Sequence, residues 1–141
     1  MNIKTSLMIA LIACVMLVGV AAAQESPDAG PTWDTAHSFN MVNGYNNVDG
    51  ELAANQNPED GVDWWWSNDV SSTSYLKLYL DSSSLDKGAV GQMYKGDHTT
   101  LMQYVSKNTQ VNNYYTLGIT PVYVKISGVP PIAYTFVVYK N

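Results

Sequence analysis

Three stretches of this chain alternate apolar and polar residues with a period of two, and that alternation decides the fold class. "SYLKLYLD" sets Leu76, Leu78 and Leu80 against Tyr75, Lys77 and Tyr79. "PVYVKIS" sets Val122, Val124 and Ile126 against Tyr123 and Lys125. "AYTFVVYK" puts Tyr134, Phe136 and Val138 on one side and Thr135, Val137 and Tyr139 on the other. Successive side chains of a strand point to opposite faces, so each stretch reads as a strand with one face in a core and one in water. "AVGQMY" and "TTLMQYV" predict two more strands. Turn formers punctuate the series: Asn43-Gly44, Asp49-Gly50, Asn57-Pro58, Lys95-Gly96-Asp97 and Gly128 to Pro131. Only "SSSLDKGAVG" (residues 82–91) leaves room for a short helical turn. The expectation is an all-β, antiparallel sandwich or jelly-roll-like single domain.

The first residues set the address. Lys4 precedes an apolar run from Leu7 to Val20, and Ala21-Ala22-Ala23 then meets Gln24. A positive start, a short apolar run and a small-residue site make a secretory signal peptide over residues 1–23. No membrane span is expected once it is cleaved. Residues 24–33 are rich in turn formers and read as an irregular leader, followed by the domain at 34–141. Removing residues 1–23 from a chain of 141 leaves 118, enough for one domain with a core. Cys14, the only cysteine, leaves with the signal, so the mature chain cannot form an internal disulfide. The full chain carries a net charge of −5, which becomes −6 when Lys4 is removed, and it contains no arginine. Without a basic patch or a base-reading arginine, nucleic-acid binding is excluded. The expected location is extracellular or at the cell surface.

The most unusual stretch is "DGVDWWW", Asp60 to Trp66, which holds three of the four tryptophans. "DTAHSFNMVNG" and "VDGEL" precede it, and "VYVKISGVPPIAYTFVVY" follows later. This order of landmarks resembles the pre-peptidase C-terminal domain family of bacteria and archaea, secreted β-sandwich modules. The family's Asp-x-x-Asp-aromatic-aromatic signature falls on Asp60, Asp63, Trp64 and Trp65. Its closing hairpin falls on Val122 to Gly128 and Tyr134 to Val138. The resemblance covers roughly residues 34–140. Two departures stand out. Ser67-Asn68-Asp69 interrupts the strand after the aromatics, and no large enzyme domain precedes the module in this chain.

On a strand, Trp64 and Trp66 share one face and Trp65 takes the other. Periodicity groups Val62, Trp64, Trp66 and Val70 as the core face, leaving Trp65 outside with Asp63, Ser67 and Asp69. The resemblance implies the opposite, since the second aromatic of the signature faces inward. We prefer the periodicity here. In either case at least one tryptophan lies on an outer face. It is covered by the leader, through Trp33 or Pro31, or by a loop, or it offers a platform for a sugar ring or a polymer. Trp65, Trp66, Tyr75, Tyr79, Tyr123 and Tyr139 are therefore the candidate ligand-binding residues. Tyr123 and Tyr139 are expected as diagonal neighbours across the last hairpin, beside Lys125.

Hard oxygen ligands from loops suit Ca²⁺. The resemblance implies a structural calcium on Asp60 and Asp63, with Asp34, Asp49 or Asp28 as weaker additions. Catalysis has little to stand on. His37 and His98 are the only histidines, and no nucleophile or metalloprotease motif occurs. The expected function is a non-catalytic secreted binding module for a polysaccharide, a protein polymer or a cell-surface partner. The alternatives are an assembly subunit of an extracellular structure that adds a strand to its neighbour, and an accessory partner of a secreted protease.

Overall fold

A computed structural model describes residues 29–54, 61–71, 74–112 and 121–141. Nine strands are found among these residues. They are β1 (His37–Ser38), β2 (Gly44–Leu52), β3 (Val62–Ser67), β4 (Leu76–Leu80), β5 (Val90–Tyr94), β6 (Leu101–Ser106), β7 (Thr109–Asn112), β8 (Val122–Ser127) and β9 (Ile132–Lys140). One short helix, α1 (Ser82–Asp86), joins β4 to β5. A six-stranded sheet has the order β1-β3-β8-β5-β6-β7, and a three-stranded sheet has the order β2-β9-β4. All pairings are antiparallel except the short parallel contact of β1 with β3. The protein is an all-β, sandwich-like single domain.

The alternating stretches behave as the sequence predicts. Leu76, Leu78 and Leu80, Val122, Val124 and Ile126, and Tyr134, Phe136 and Val138 are all buried between the sheets. Their polar neighbours along each strand face outward, because a strand turns every second side chain away from the core.

Two connections differ from expectation. Asp49-Gly50 does not break the chain, and β2 runs through it for nine residues, each facing a partner on β9. The expected closing hairpin is absent. β8 lies between β3 and β5, whereas β9 lies between β2 and β4 in the other sheet. The chain crosses between sheets at Gly128 to Pro131, with a cis bond between Pro130 and Pro131. Consecutive prolines have no N–H for a ladder, so this segment cannot lengthen either strand.

The sheets meet closely beside β4 and β5. A Cβ at Gly91 would stand 3.2 Å from Leu80, so a larger residue there would need the Leu80 side chain to give by a few tenths of an ångström. On the same side, β4 is the edge of its sheet, and an edge strand has unpaired backbone groups. Gln103 on β6 answers them from across the core. Its Oε1 accepts from Leu78 N at 2.7 Å, and its Nε2 donates to the Leu76 carbonyl at 2.8 Å. The amide therefore stands in for a neighbouring strand, which explains a glutamine that is 1% exposed.

Helix α1 is set by its cap. Asp81 accepts from Ser84 N at 3.1 Å and from Ser83 Oγ at 2.8 Å, and it also bonds Ser84 Oγ. Partial burial raises the Asp81 carboxyl, but the bonds from Ser84 and Ser83 outweigh it and hold it below the usual carboxylate range. Ser84 Oγ in turn accepts from Thr135 N at 3.0 Å, satisfying β9 just beyond the end of β4.

Among the described residues no helix is long and apolar enough to cross a membrane. The expected signal peptide lies outside the described residues.

Candidate functional site

Strand β3 carries the tryptophans, and its orientation is fixed by its partner β8. Directly opposite residues of an antiparallel pair share a face. Val122, Val124 and Ile126 are wholly buried, and they lie opposite Ser67, Trp65 and Asp63. The inner face of β3 is therefore Asp63, Trp65 and Ser67, and the outer face is Val62, Trp64 and Trp66. This overturns the preference drawn from periodicity. Trp65 is a core residue, 5% exposed, packed edge-on against Phe136 at 5.8 Å. Two things make the periodicity misleading: the inward face includes the polar Asp63 and Ser67, and Val70 lies beyond the strand, which stops at Ser67. There Ser67 Oγ and the Asp69 carboxylate turn the chain, and Asp69 Oδ2 accepts from Met41 N at 2.9 Å.

A polar core face is tolerable only if its polar atoms are bonded. Trp65 Nε1 donates to Tyr134 Oη at 2.9 Å, and Tyr134 Oη donates to Asp63 Oδ2 at 2.5 Å. Asp63 and Trp65 belong to the six-stranded sheet and Tyr134 to the three-stranded one, so this chain of bonds ties the layers together. Sequence reading placed Asp63 in a calcium set and had no signal for its link to Tyr134, which lies 71 residues away.

Of the other members of that set, the two that are described, Asp34 and Asp49, do not join it. Asp60 and Asp28 lie outside the described residues. Asp34 sits exposed in a 3₁₀ turn, Trp33–Thr35, where the Thr32 hydroxyl and local backbone N–H groups hold its carboxyl below the usual range. Asp49 is on the outer face of β2 and accepts from Thr135 Oγ1 at 2.6 Å. Asp49 and Asp63 are thus on opposite sides of the three-stranded sheet and cannot share an ion. Among the described residues no three His, Cys, Asp or Glu side chains come together.

The outer face of the six-stranded sheet is where aromatic rings gather. In register across β3, β8 and β5 stand Trp66, Tyr123 and Tyr94, and in the next row Trp64, Lys125 and Gln92. The Trp64 ring lies 5.4 Å from Tyr94 and 6.4 Å from Tyr123, and Lys125 Nζ sits 5.6 Å from its centroid. Aromatic and ammonium contacts of this kind are each worth about 0.5–1 kcal/mol at exposed sites. Burial pushes the Tyr94 phenol up.

The face is extended by two segments. His98 stacks flat on Trp33, with centroids 3.8 Å apart, and meets Tyr123 edge-on at 6.1 Å. The turn that presents His98 is held by Asp97, whose Oδ1 accepts from Thr99 N at 3.0 Å and Thr100 N at 2.7 Å, with Oδ2 on the Thr100 hydroxyl. The bond from the Thr100 hydroxyl, and then the backbone N–H groups, lower the Asp97 carboxyl to about 2. The chain from Gly30 to Phe39, with β1 inside it, runs along the edge of β3. Gly30 O accepts from Trp64 N at 2.9 Å, and Phe39 N donates to Trp66 O at 2.9 Å. So the segment from Gly30 to Phe39 covers the edge of β3 and delivers Trp33 to the aromatic face, where Trp33 remains 45% exposed.

Comparison of the chain with protein-family models, with curated proteins and with solved structures finds no match.

The candidate aromatics divide between two surfaces. Trp66 and Tyr123 belong to the outer face around Trp64. Tyr79 and Tyr139 project from the three-stranded sheet on the opposite side of the domain, and Tyr75 immediately precedes β4 on that sheet. Tyr123 and Tyr139 are therefore not neighbours, because β8 and β9 belong to different sheets. As members of a binding face, sequence reading missed Trp64, Tyr94 and His98, and it named Trp33 only as cover for an outer tryptophan. The usable signal was the alternation on β5 and β8, whose outward positions include Tyr94 and Tyr123.

Proposed function

We propose that the protein is a non-catalytic, secreted binding module that holds an extracellular polymer, a polysaccharide chain above all, on the outer face of its six-stranded sheet. One observation carries this reading. Trp64, Tyr94 and Tyr123 form a continuous aromatic surface on a rigid sheet, with Lys125 and Gln92 beside it to donate hydrogen bonds. Sugar rings present C–H faces that pack on aromatic rings and hydroxyls that accept from lysine and amide donors. A sheet holds such a platform flat without conformational cost at the moment of binding.

The test is retention of the secreted protein on insoluble polysaccharides, with Trp64→Ala compared against the parent. Retention that is lost in a Trp64→Ala variant with an unchanged circular dichroism spectrum supports the reading. Equal retention by parent and variant on every polysaccharide, or none by either, removes it.

A second reading, an assembly subunit, is favoured by β2. This nine-residue strand is the edge of its sheet, paired only with β9 among the described residues. A long edge of this kind can accept a strand from another copy. Sedimentation over a range of concentrations separates the two, since a polymer-binding monomer keeps one mass and an assembly subunit does not.

A further inference from the structure

The opposite face of the domain carries a cluster that the polymer reading does not use. Tyr45 on β2 and Tyr139 on β9 are directly opposite in register, on the outer face of the three-stranded sheet. Their ring centroids are 5.0 Å apart, with planes at 53°. Tyr79 on β4 is the third member, 6.4 Å from Tyr45. Tyr45 is 70% exposed, the most open aromatic side chain among the described residues.

We propose that Tyr45 and Tyr139 are the site of an intramolecular dityrosine cross-link, formed by a peroxidase-class one-electron oxidant that uses hydrogen peroxide. Each phenol gives up one electron and one proton. The two phenoxyl radicals couple through ortho carbons, forming one C–C bond. The two ring hydrogens at the new bond then move as protons to the carbonyl oxygens of the coupled dienone, which restores both phenols. Over the cycle two tyrosines lose two hydrogens, and one hydrogen peroxide becomes two water molecules.

Three features favour this outcome over others. Coupling needs two rings already adjacent, because phenoxyl radicals are short-lived, and the register across β2 and β9 provides that adjacency. Met41, Met93 and Met102, which would otherwise take up oxidant, are 4%, 0% and 7% exposed. The benefit is large for this chain. A single cysteine leaves it no internal disulfide. A bond between Tyr45 and Tyr139 would close most of the domain into one loop, and closing long loops removes most entropy from the unfolded chain.

The purified protein, kept dilute, is treated with peroxidase and limiting hydrogen peroxide. The monomer should lose the mass of two hydrogens and gain the blue fluorescence of a biphenol. Peptide mapping should join the segments that hold Tyr45 and Tyr139, and the melting temperature should rise by at least about 5 °C. Tyr45→Phe and Tyr139→Phe, which change one oxygen on an outer face, should each abolish the link, while Tyr79→Phe keeps it. Oxygen addition at Trp33 raises the mass instead and is read separately. A monomer that keeps its two hydrogens overturns the proposal. So does a link that maps elsewhere or survives in Tyr139→Phe, and a link that leaves the melting temperature unchanged overturns its stabilising role.

Discussion

Asp63 and Tyr134 come from different sheets and are joined by a hydrogen bond of 2.5 Å in the middle of the core. The same phenol accepts from the Trp65 indole at 2.9 Å, so one oxygen serves two buried groups. Buried polar chains of this kind cost little when complete and much when broken.

Tyr134→Phe keeps the ring and removes that oxygen. Losing a buried bond to a carboxylate and one to an indole should cost about 2–4 kcal/mol. Tyr123→Phe, the same change on the outer face, should stay within about 0.5 kcal/mol. Urea unfolding of both variants makes the comparison, and similar midpoints for the two would refute a structural role for the Asp63–Tyr134–Trp65 chain.

The adjacent tryptophans should behave in opposite ways. Trp65→Ala empties a core position and should cost about 3–5 kcal/mol. Trp64→Ala trims an outer ring and should cost roughly 1 kcal/mol, the value of its aromatic and lysine contacts. Denaturant midpoints rank the two, and a Trp64 variant as unstable as the Trp65 variant would mean that the outer rings are structural cover.

The sequence made the layers legible but not their connection. Leu76 to Leu80, Val122 to Ile126 and Tyr134 to Val138 alternate so regularly that their buried faces follow directly. β3 was read the wrong way round because Asp63 and Ser67 look like surface residues. Their burial depends on Tyr134 and Asp69, which no local pattern supplies. The supposed last hairpin failed for a related reason. Two alternating stretches separated by Gly and Pro fit a hairpin and a crossing between sheets equally well, and long-range packing decides. The aromatic face was half legible: Tyr123 and Trp66 were in view, but Trp33 and His98 reach it only through a stack between distant segments.

Gln103 offers a sharper test of how an edge strand is satisfied. Gln103→Met preserves length and volume but strands Leu78 N–H and the Leu76 carbonyl in the core, so the loss should be about 2–5 kcal/mol. Gln92→Met, on the outer face of the neighbouring strand, should be close to neutral. Amide exchange at Leu78 should quicken in the Gln103 variant. Unchanged protection there would show that another group caps β4.

Asp97 gives the turn before β6 a defined response to acid. Its carboxyl titrates at about 2, against an ordinary value of 3.8, because the Thr100 hydroxyl and the Thr99 and Thr100 N–H groups bond the charged form. A group depressed in the folded state favours folding where it is ionised. Its contribution is therefore complete above 3.8 and is lost as pH falls through about 2. Carbon-detected NMR of the Asp97 carboxyl should show a midpoint near 2. In the same interval the ring signals of His98 should move as its stack on Trp33 loosens, since the turn positions that ring. In Asp97→Asn the His98 signals should lose this acid step. A midpoint at 3.8 would mean that the threonine bonds do not hold in solution. The same acid step in the His98 ring signals of the Asn variant would detach the stack from the turn.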